Sequence, residues 1–249
     1  MNASAAASPR RWATLKLKLR MRLLTLFFSL ITLNSFGQDL SKNVQITADS
    51  DTAFRANYYS PIIEKLKLIN PSSDTDFFRI SSSKYFLELS QKSNRIVFYV
   101  HEIWESNQTG ETYIKSFDIH AEQVKKIKLL IDSLEINKIP SDKYISSWTH
   151  GFDGITYIFE NKKDNHYSFK NYWTPSSQKN LKEAQNILTF TNQLDGIIEY
   201  SAKRKLFERE IPFYGWTYNG SMAVTRVISN TKEYRKYKRM KKRQLRNQE

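Results

Sequence analysis

The chain of 249 residues contains no cysteine, which excludes disulfides, thiolate nucleophiles, zinc–thiolate and iron–sulfur sites, and a lipoprotein anchor. With 40% hydrophobic and 14% aromatic residues and only 7 Gly and 6 Pro, its composition is that of a globular protein and not of a disordered one. The formal charge of +14 is unevenly placed: residues 1–37 hold six basic residues and no acid, residues 232–249 carry a net +7, and the body between them is at +1.

At the N-terminus, the basic run Lys16–Arg22 precedes eleven residues, Leu23–Leu33, without a charge, and then Asn34-Ser-Phe-Gly37. A basic region, an apolar region and small residues at Ser35 and Gly37 are the pattern of a secretory signal cleaved between Gly37 and Gln38. The apolar run falls short of the roughly 20 residues a spanning helix needs, so no transmembrane span is expected in the mature protein. Residues 1–20 are long for such a signal. Met21 as the start codon is one account, and an organelle presequence rich in Ala, Ser and Arg is the other. The expected organisation is therefore a signal over 1–37, an N-terminal segment over 38–75, an α+β domain over 76–231 and a basic tail over 232–249.

Residues 38–75 show little pattern beyond a short helix after Pro61 and a turn at Pro71-Ser-Ser-Asp74. Tyr85–Leu89, Arg95–Trp104 and Thr112–Phe117 are rich in β-branched and aromatic residues and are divided by polar turns. They predict a three-stranded antiparallel meander. Asp118 is placed to cap a helix whose Val124, Ile127, Ile131 and Leu134 form one apolar stripe, with Pro140 at its end. A second unit follows, with Ile155, Tyr157 and Phe159 on one strand face, a turn at 161–165 and a strand at Tyr167–Trp173. Pro175-Ser-Ser177 then opens a helix striped by Leu181, Ala184, Leu188, Leu194 and Ile198. Phe213–Tyr218 and Met222–Ile228 flank Asn219-Gly220, the signature of a type I′ hairpin. The tail after it is helical or disordered. The fold expected is α+β, an antiparallel sheet built from β-hairpin–helix units with two main helices on one face.

Few residues suggest chemistry. His150 and Asp153, in Trp148-Thr-His-Gly-Phe-Asp-Gly154, are the candidates for a general base with its orienting carboxylate. The same residues also read as a turn, with Gly151 and Gly154 at positive φ. His101 and Glu102 neighbour each other on a strand and so point to opposite faces. His120 and Glu122 make a poor metal pair, and no metal or cofactor site is expected. Trp216 and Tyr218 share one face of their strand and could form a small stacking platform. The strongest signal outside the core is the run Arg235, Lys236, Lys238, Arg239, Lys241, Lys242 and Arg243, which would attract a polyanion by counterion release.

Asp153-Gly-Ile-Thr-Tyr157, Tyr172-Trp-Thr-Pro175 and the helix around Leu181–Ile187 carry a resemblance over roughly residues 84–200. In a D-G-x-x-Y strand, a Y-x-x-P segment and a C-terminal helix, the chain resembles uncharacterised exported α+β proteins of AT-rich Gram-negative bacteria. The resemblance implies secretion or a periplasmic location and transfers no catalytic residues. The expected function is a non-enzymatic binding or envelope-interaction domain, with an anionic envelope lipid or polymer as partner. The alternatives are a hydrolase using His150 and Asp153, and an organelle RNA-associated protein binding through the tail if the chain is not exported.

Overall fold

The computed structural model describes residues 44–58, 64–71, 76–104, 107–218, 223–226 and 231–246; the expected signal and the Asn219-Gly220 turn lie outside them. In chain order the elements are β1 (Gln45–Ile46), α1 (Thr52–Tyr58), β2 (Phe77–Ser81), β3 (Phe86–Ser90), β4 (Asn94–Trp104), β5 (Asn107–Asp118) and α2 (Ala121–Ser133). They continue with β6 (Thr156–Lys163), β7 (His166–Trp173), α3 (Lys182–Ile197), α4 (Tyr200–Glu210), β8 (Gly215–Thr217), β9 (Ala223–Thr225) and α5 (Thr231–Arg246).

The fold is α+β, and among the described residues the nine strands join in one mixed sheet, ordered β1-β7-β6-β2-β3-β4-β8-β9 with β5 also on β4. The expected meander is present as β3, β4 and β5, and the second hairpin as β6 and β7. The last hairpin pairs Gly215 with Thr225 and Thr217 with Ala223. The sheet departs from the expected antiparallel pattern at β1, which lies parallel to β7 with Gln45 opposite His166. A tight turn forces antiparallel pairing only between consecutive strands. β1 reaches the outer edge of β7 from far away in sequence, and no local signal fixes its direction.

β5 pairs with β4 over most of its length, from Arg95 to Trp104. β3 and β8 must therefore share the other edge of β4, β3 beside Asn94–Val97 and β8 beside His101 and Glu102. The registers put Ser81, Phe86, Thr156 and Trp173 at one end of the sheet, and β4 runs past them towards Trp104. The loop before β6 and the last residues of β4 thus lie at the same end.

One face packs under α2, α3 and α4. α2 buries Ile127, Leu130 and Ile131, close to the expected stripe. Asp118 does not cap it: Asp118 ends β5, and the backbone N–H of His120 donates to Gln123 Oε1 at 3.1 Å. Pro175–Ser177 form a 3-10 turn, and α3 starts only at Lys182. It buries Ala184, Ile187, Phe190 and Leu194. α4 makes a third helix on this face where two were expected. Its sequence hid it, because six of its eleven residues are charged, and only Lys203 and Phe207 are buried.

The opposite face is covered from the N-terminal segment. Leu66 and Leu68 join Phe77, Phe86, Val97, Tyr99, Ile158, Tyr167 and Phe169 in a second core. Across this face runs a row of charges set directly opposite one another on five neighbouring strands: Glu160, Arg79, Glu88, Arg95 and Asp118. Arg79 and both glutamates are fully buried. Arg79 Nη1 donates to Glu160 Oε2 at 2.6 Å, and its Nε and Nη2 donate to Glu88 Oε1 at 3.0 and 2.8 Å. Arg95 closes on the other oxygen of Glu88 at 2.9 Å, and Tyr167 donates to Glu160.

This row also holds the covering segment. Arg95 donates to the Lys67 carbonyl at 2.7 Å, Arg79 donates to the Ile69 carbonyl, and the Ile69 N–H donates to Glu88 at 2.8 Å. The buried Lys162 ammonium donates to the Pro71 carbonyl at 2.8 Å. The carbonyls of Lys67, Ile69 and Pro71 and the N–H of Ile69 are thus satisfied by side chains of the sheet.

Truncating one member of a buried charge network leaves the others unpaired, at a cost of about 3–5 kcal/mol. Arg79→Met is expected to lose that much stability in chemical denaturation, and Lys92→Met, on the exposed turn before β4, is expected to lose almost none. A loss below about 1 kcal/mol for Arg79→Met would show that the sheet does not need its charge row.

Candidate functional site

The basic segment is helical. Lys, Arg, Gln and Met favour helix, but nine cations against Glu233 within 231–246 set like charges three and four residues apart, which opposes it. Docking compensates. Tyr234, Tyr237 and Lys241 recur at helical spacing along one side of α5 and pack against the sheet corner. Tyr237 lies 5.6 Å from Trp104 and 4.5 Å from Tyr214 between ring centroids, and Tyr234 lies 5.5 Å from Tyr214.

The polar anchor is Glu102, fully buried on β4. Tyr237 donates its hydroxyl to Glu102, and Lys241 Nζ lies 2.8 Å from Glu102 and 2.9 Å from Glu111. Burial together with the Glu102 carboxylate pushes the Tyr237 hydroxyl far up, so it stays a donor. For Lys241 burial works against the charge, but the hydrogen bonds it donates to Glu102 and Glu111 outweigh it and hold the ammonium above its usual value. A raised lysine stabilises the docked state fully below its ordinary pKa, and that contribution is lost only as pH rises through the raised one. Docking is therefore independent of Lys241 titration near neutrality.

Of the seven basic residues expected to bind an anion, Lys241 is thus a buried anchor. The other six, Arg235, Lys236, Lys238, Arg239, Lys242 and Arg243, are exposed. At about 3.6 residues per turn, Arg235, Lys236, Arg239, Lys242 and Arg243 fall on the side opposite Tyr234, Tyr237 and Lys241. Among the described residues none of these five is in an ion pair. The docked side chains fix which way this basic face points.

The histidine loop is built differently from its expected form. His150, half exposed, sets Nε2 3.2 Å from Asp142 Oδ2 and lies with its ring 6.2 Å from Trp173. Asp142 is buried and also accepts the Trp173 N–H at 2.7 Å and Asn171 Nδ2 at 3.2 Å. Asp153 is exposed, and among the described residues no ion pair joins it to His150. Gly151 and Gly154 do not take the expected positive φ; among the described glycines only Gly110 does. Their role is close approach to Trp173: a Cβ on Gly151 would stand 2.8 Å from the indole, and one on Gly154 would stand 1.9 Å from Thr174 Oγ1.

The expected Trp216–Tyr218 platform is also occupied. Trp216 is buried in the main core, and the Tyr218 hydroxyl donates to Glu208 at 2.7 Å, with burial and that carboxylate pushing it up to about 12. His101 bonds Thr112 at 2.9 Å on the face away from Glu102, as neighbours on a strand require. Among the described residues no group of three His, Asp or Glu side chains is placed to hold a metal ion, and no helix is long and apolar enough to cross a membrane.

Sequence reasoning missed Glu102 and Glu111 as partners of the tail and Asp142 as partner of His150. The signal for Glu102 was present, since a carboxylate between Val100 and Trp104 on a core-facing strand needs a buried cation. Lys241→Met removes that cation. Amide exchange across α5 is expected to accelerate about tenfold or more, while Lys242→Met, on the side away from the sheet, leaves it unchanged. Equal exchange in the two variants would mean that the Glu102 contact does not hold the helix.

The chain matches no protein-family model, and no curated protein matches it.

Proposed function

We propose that the protein is an exported, non-enzymatic binding protein whose docked C-terminal helix engages an anionic surface of the cell envelope. One observation carries this reading: α5 is held along its Tyr234–Tyr237–Lys241 side, and Arg235, Lys236, Arg239, Lys242 and Arg243 project from the other. A flexible cationic tail loses conformational entropy when it binds, whereas a helix already fixed by a buried anchor presents its charges at no such cost. The sheet domain is near neutral, so the attraction is confined to this face. Export brings the face to envelope lipids and polymers, and cleavage after Gly37 would leave Gln38 as the mature N-terminus.

Binding of the full mature chain to inorganic polyphosphate is expected to weaken about a hundredfold between roughly 50 and 200 mM salt, as release of counterions by about five contacts requires. The triple variant Arg235→Glu, Arg239→Glu, Arg243→Glu is expected to abolish it without changing Tm. Salt-independent binding, or an unaffected triple variant, would refute the basic-face reading. N-terminal sequencing of the protein from cell fractions tests export separately: a start at Gln38 in the periplasm or medium is expected, and an uncut cytosolic chain overturns it.

A further inference from the structure

The loop before β6 carries the most exposed apolar side chain of the described residues. Phe152 is fully exposed at 107%, with Tyr144 at 50% and Ile155 at 44% nearby in the chain. Isolated exposed apolar residues are ordinary, but this one stands on a braced loop. Trp148 Nε1 donates to the Trp173 carbonyl at 2.9 Å, and Thr149 donates its N–H and hydroxyl to Gln178 Oε1 at 2.9 and 3.0 Å. Ile155 N–H donates to Thr174 Oγ1 at 3.0 Å, and the Thr174 N–H returns to the Ile155 carbonyl at 2.8 Å. Both glycines beside Phe152 lie against Trp173 or Thr174. The loop could have folded its phenylalanine inward over Trp173, and it instead places glycines there and turns the ring to solvent.

The loop rises from the end of the sheet at which Thr156 and Trp173 lie, the end towards which β4 carries Glu102 and Trp104, the anchors of α5. β6 and β4 are three strand spacings apart, roughly 15 Å. The anchors of the basic helix and the loop that carries the exposed ring therefore lie at one end of the sheet. A soluble polyanion offers nothing to an exposed ring, whereas a bilayer offers charge at its surface and hydrocarbon beneath.

We infer that the anionic surface is a lipid bilayer and that Phe152 is its apolar anchor, entering the boundary between headgroups and acyl chains while the basic face of α5 lies on the headgroups. This rests on the basic-face reading above. Asp153, exposed beside Phe152, limits the depth, because its carboxylate stays in headgroup water.

The test uses the full mature chain and vesicles of phosphatidylcholine with about 30% phosphatidylglycerol, beside polyphosphate as a purely ionic probe. Phe152→Ser is expected to weaken vesicle binding about tenfold, with polyphosphate binding and Tm unchanged, and Phe152→Trp to restore vesicle binding. Indole emission from Phe152→Trp, above that of the parent chain, is expected to be quenched by brominated lipid. Vesicle binding unchanged by Phe152→Ser overturns the anchor and leaves the basic face standing. Binding of the parent chain to polyphosphate but not to vesicles overturns the bilayer. Failure to bind either probe removes the basic-face reading, and the anchor falls with it.

Discussion

The position of Arg79 constrains the rest of the sheet. Its guanidinium lies between Glu88 and Glu160, which stand directly opposite it on the strands to either side. Three charges without exposure are a poor source of net stability, because desolvation offsets most of their attraction. Their effect is on register. A slip of one residue in β2, β3 or β6 would carry a charge to the helix-covered face and bury it without a partner. The apolar alternation of these strands already favours one register, and the charge row raises the cost of every other.

The same row decides where the N-terminal segment goes. A segment lying across a sheet face must satisfy its own backbone groups, and here Arg79, Arg95, Glu88 and Lys162 do so at Lys67, Ile69 and Pro71. The second core under Leu66 and Leu68 exists because that segment is held down. α5 is attached by the same means at the opposite corner, where a buried carboxylate, Glu102, meets Lys241 and Tyr237. In both places a segment is fixed by charges that the sheet has already buried. At the second, the fixed segment presents its remaining cations outward, which links the core of the protein to its proposed surface role.

How much of this was legible in the sequence depends on the range of the interaction that made each feature. β3, β4, β5, β6, β7 and the last hairpin follow from alternation and turn residues, which act between neighbours in the chain. The stripes of α2 and α3 follow from helical periodicity. β2 escaped notice because it is short and carries Arg79 at its centre, and a charge in mid-strand looks like an exposed position until its two glutamate partners are aligned. α4 escaped because its support comes from other elements and few of its own residues are apolar. His150 was paired in the sequence reading with the nearer Asp153, but the carboxylate beside it is Asp142, eight positions away across a turn.

The sequence by itself determined that the chain lacks cysteine chemistry, that its charge is concentrated at its two ends, and that its middle forms hairpins and amphipathic helices. These are properties of composition and of periods between two and four residues, which local backbone geometry enforces. Only the tertiary structure decided that β1 runs parallel, that the N-terminal segment roofs one face, and that one lysine of the basic run is an anchor while its neighbours remain free to face solvent. Those outcomes depend on which distant groups meet once the sheet has closed. Pairings such as Arg79 with Glu160 or Lys241 with Glu102 leave no periodic trace, because the separation in sequence of two charges says nothing about their distance in space.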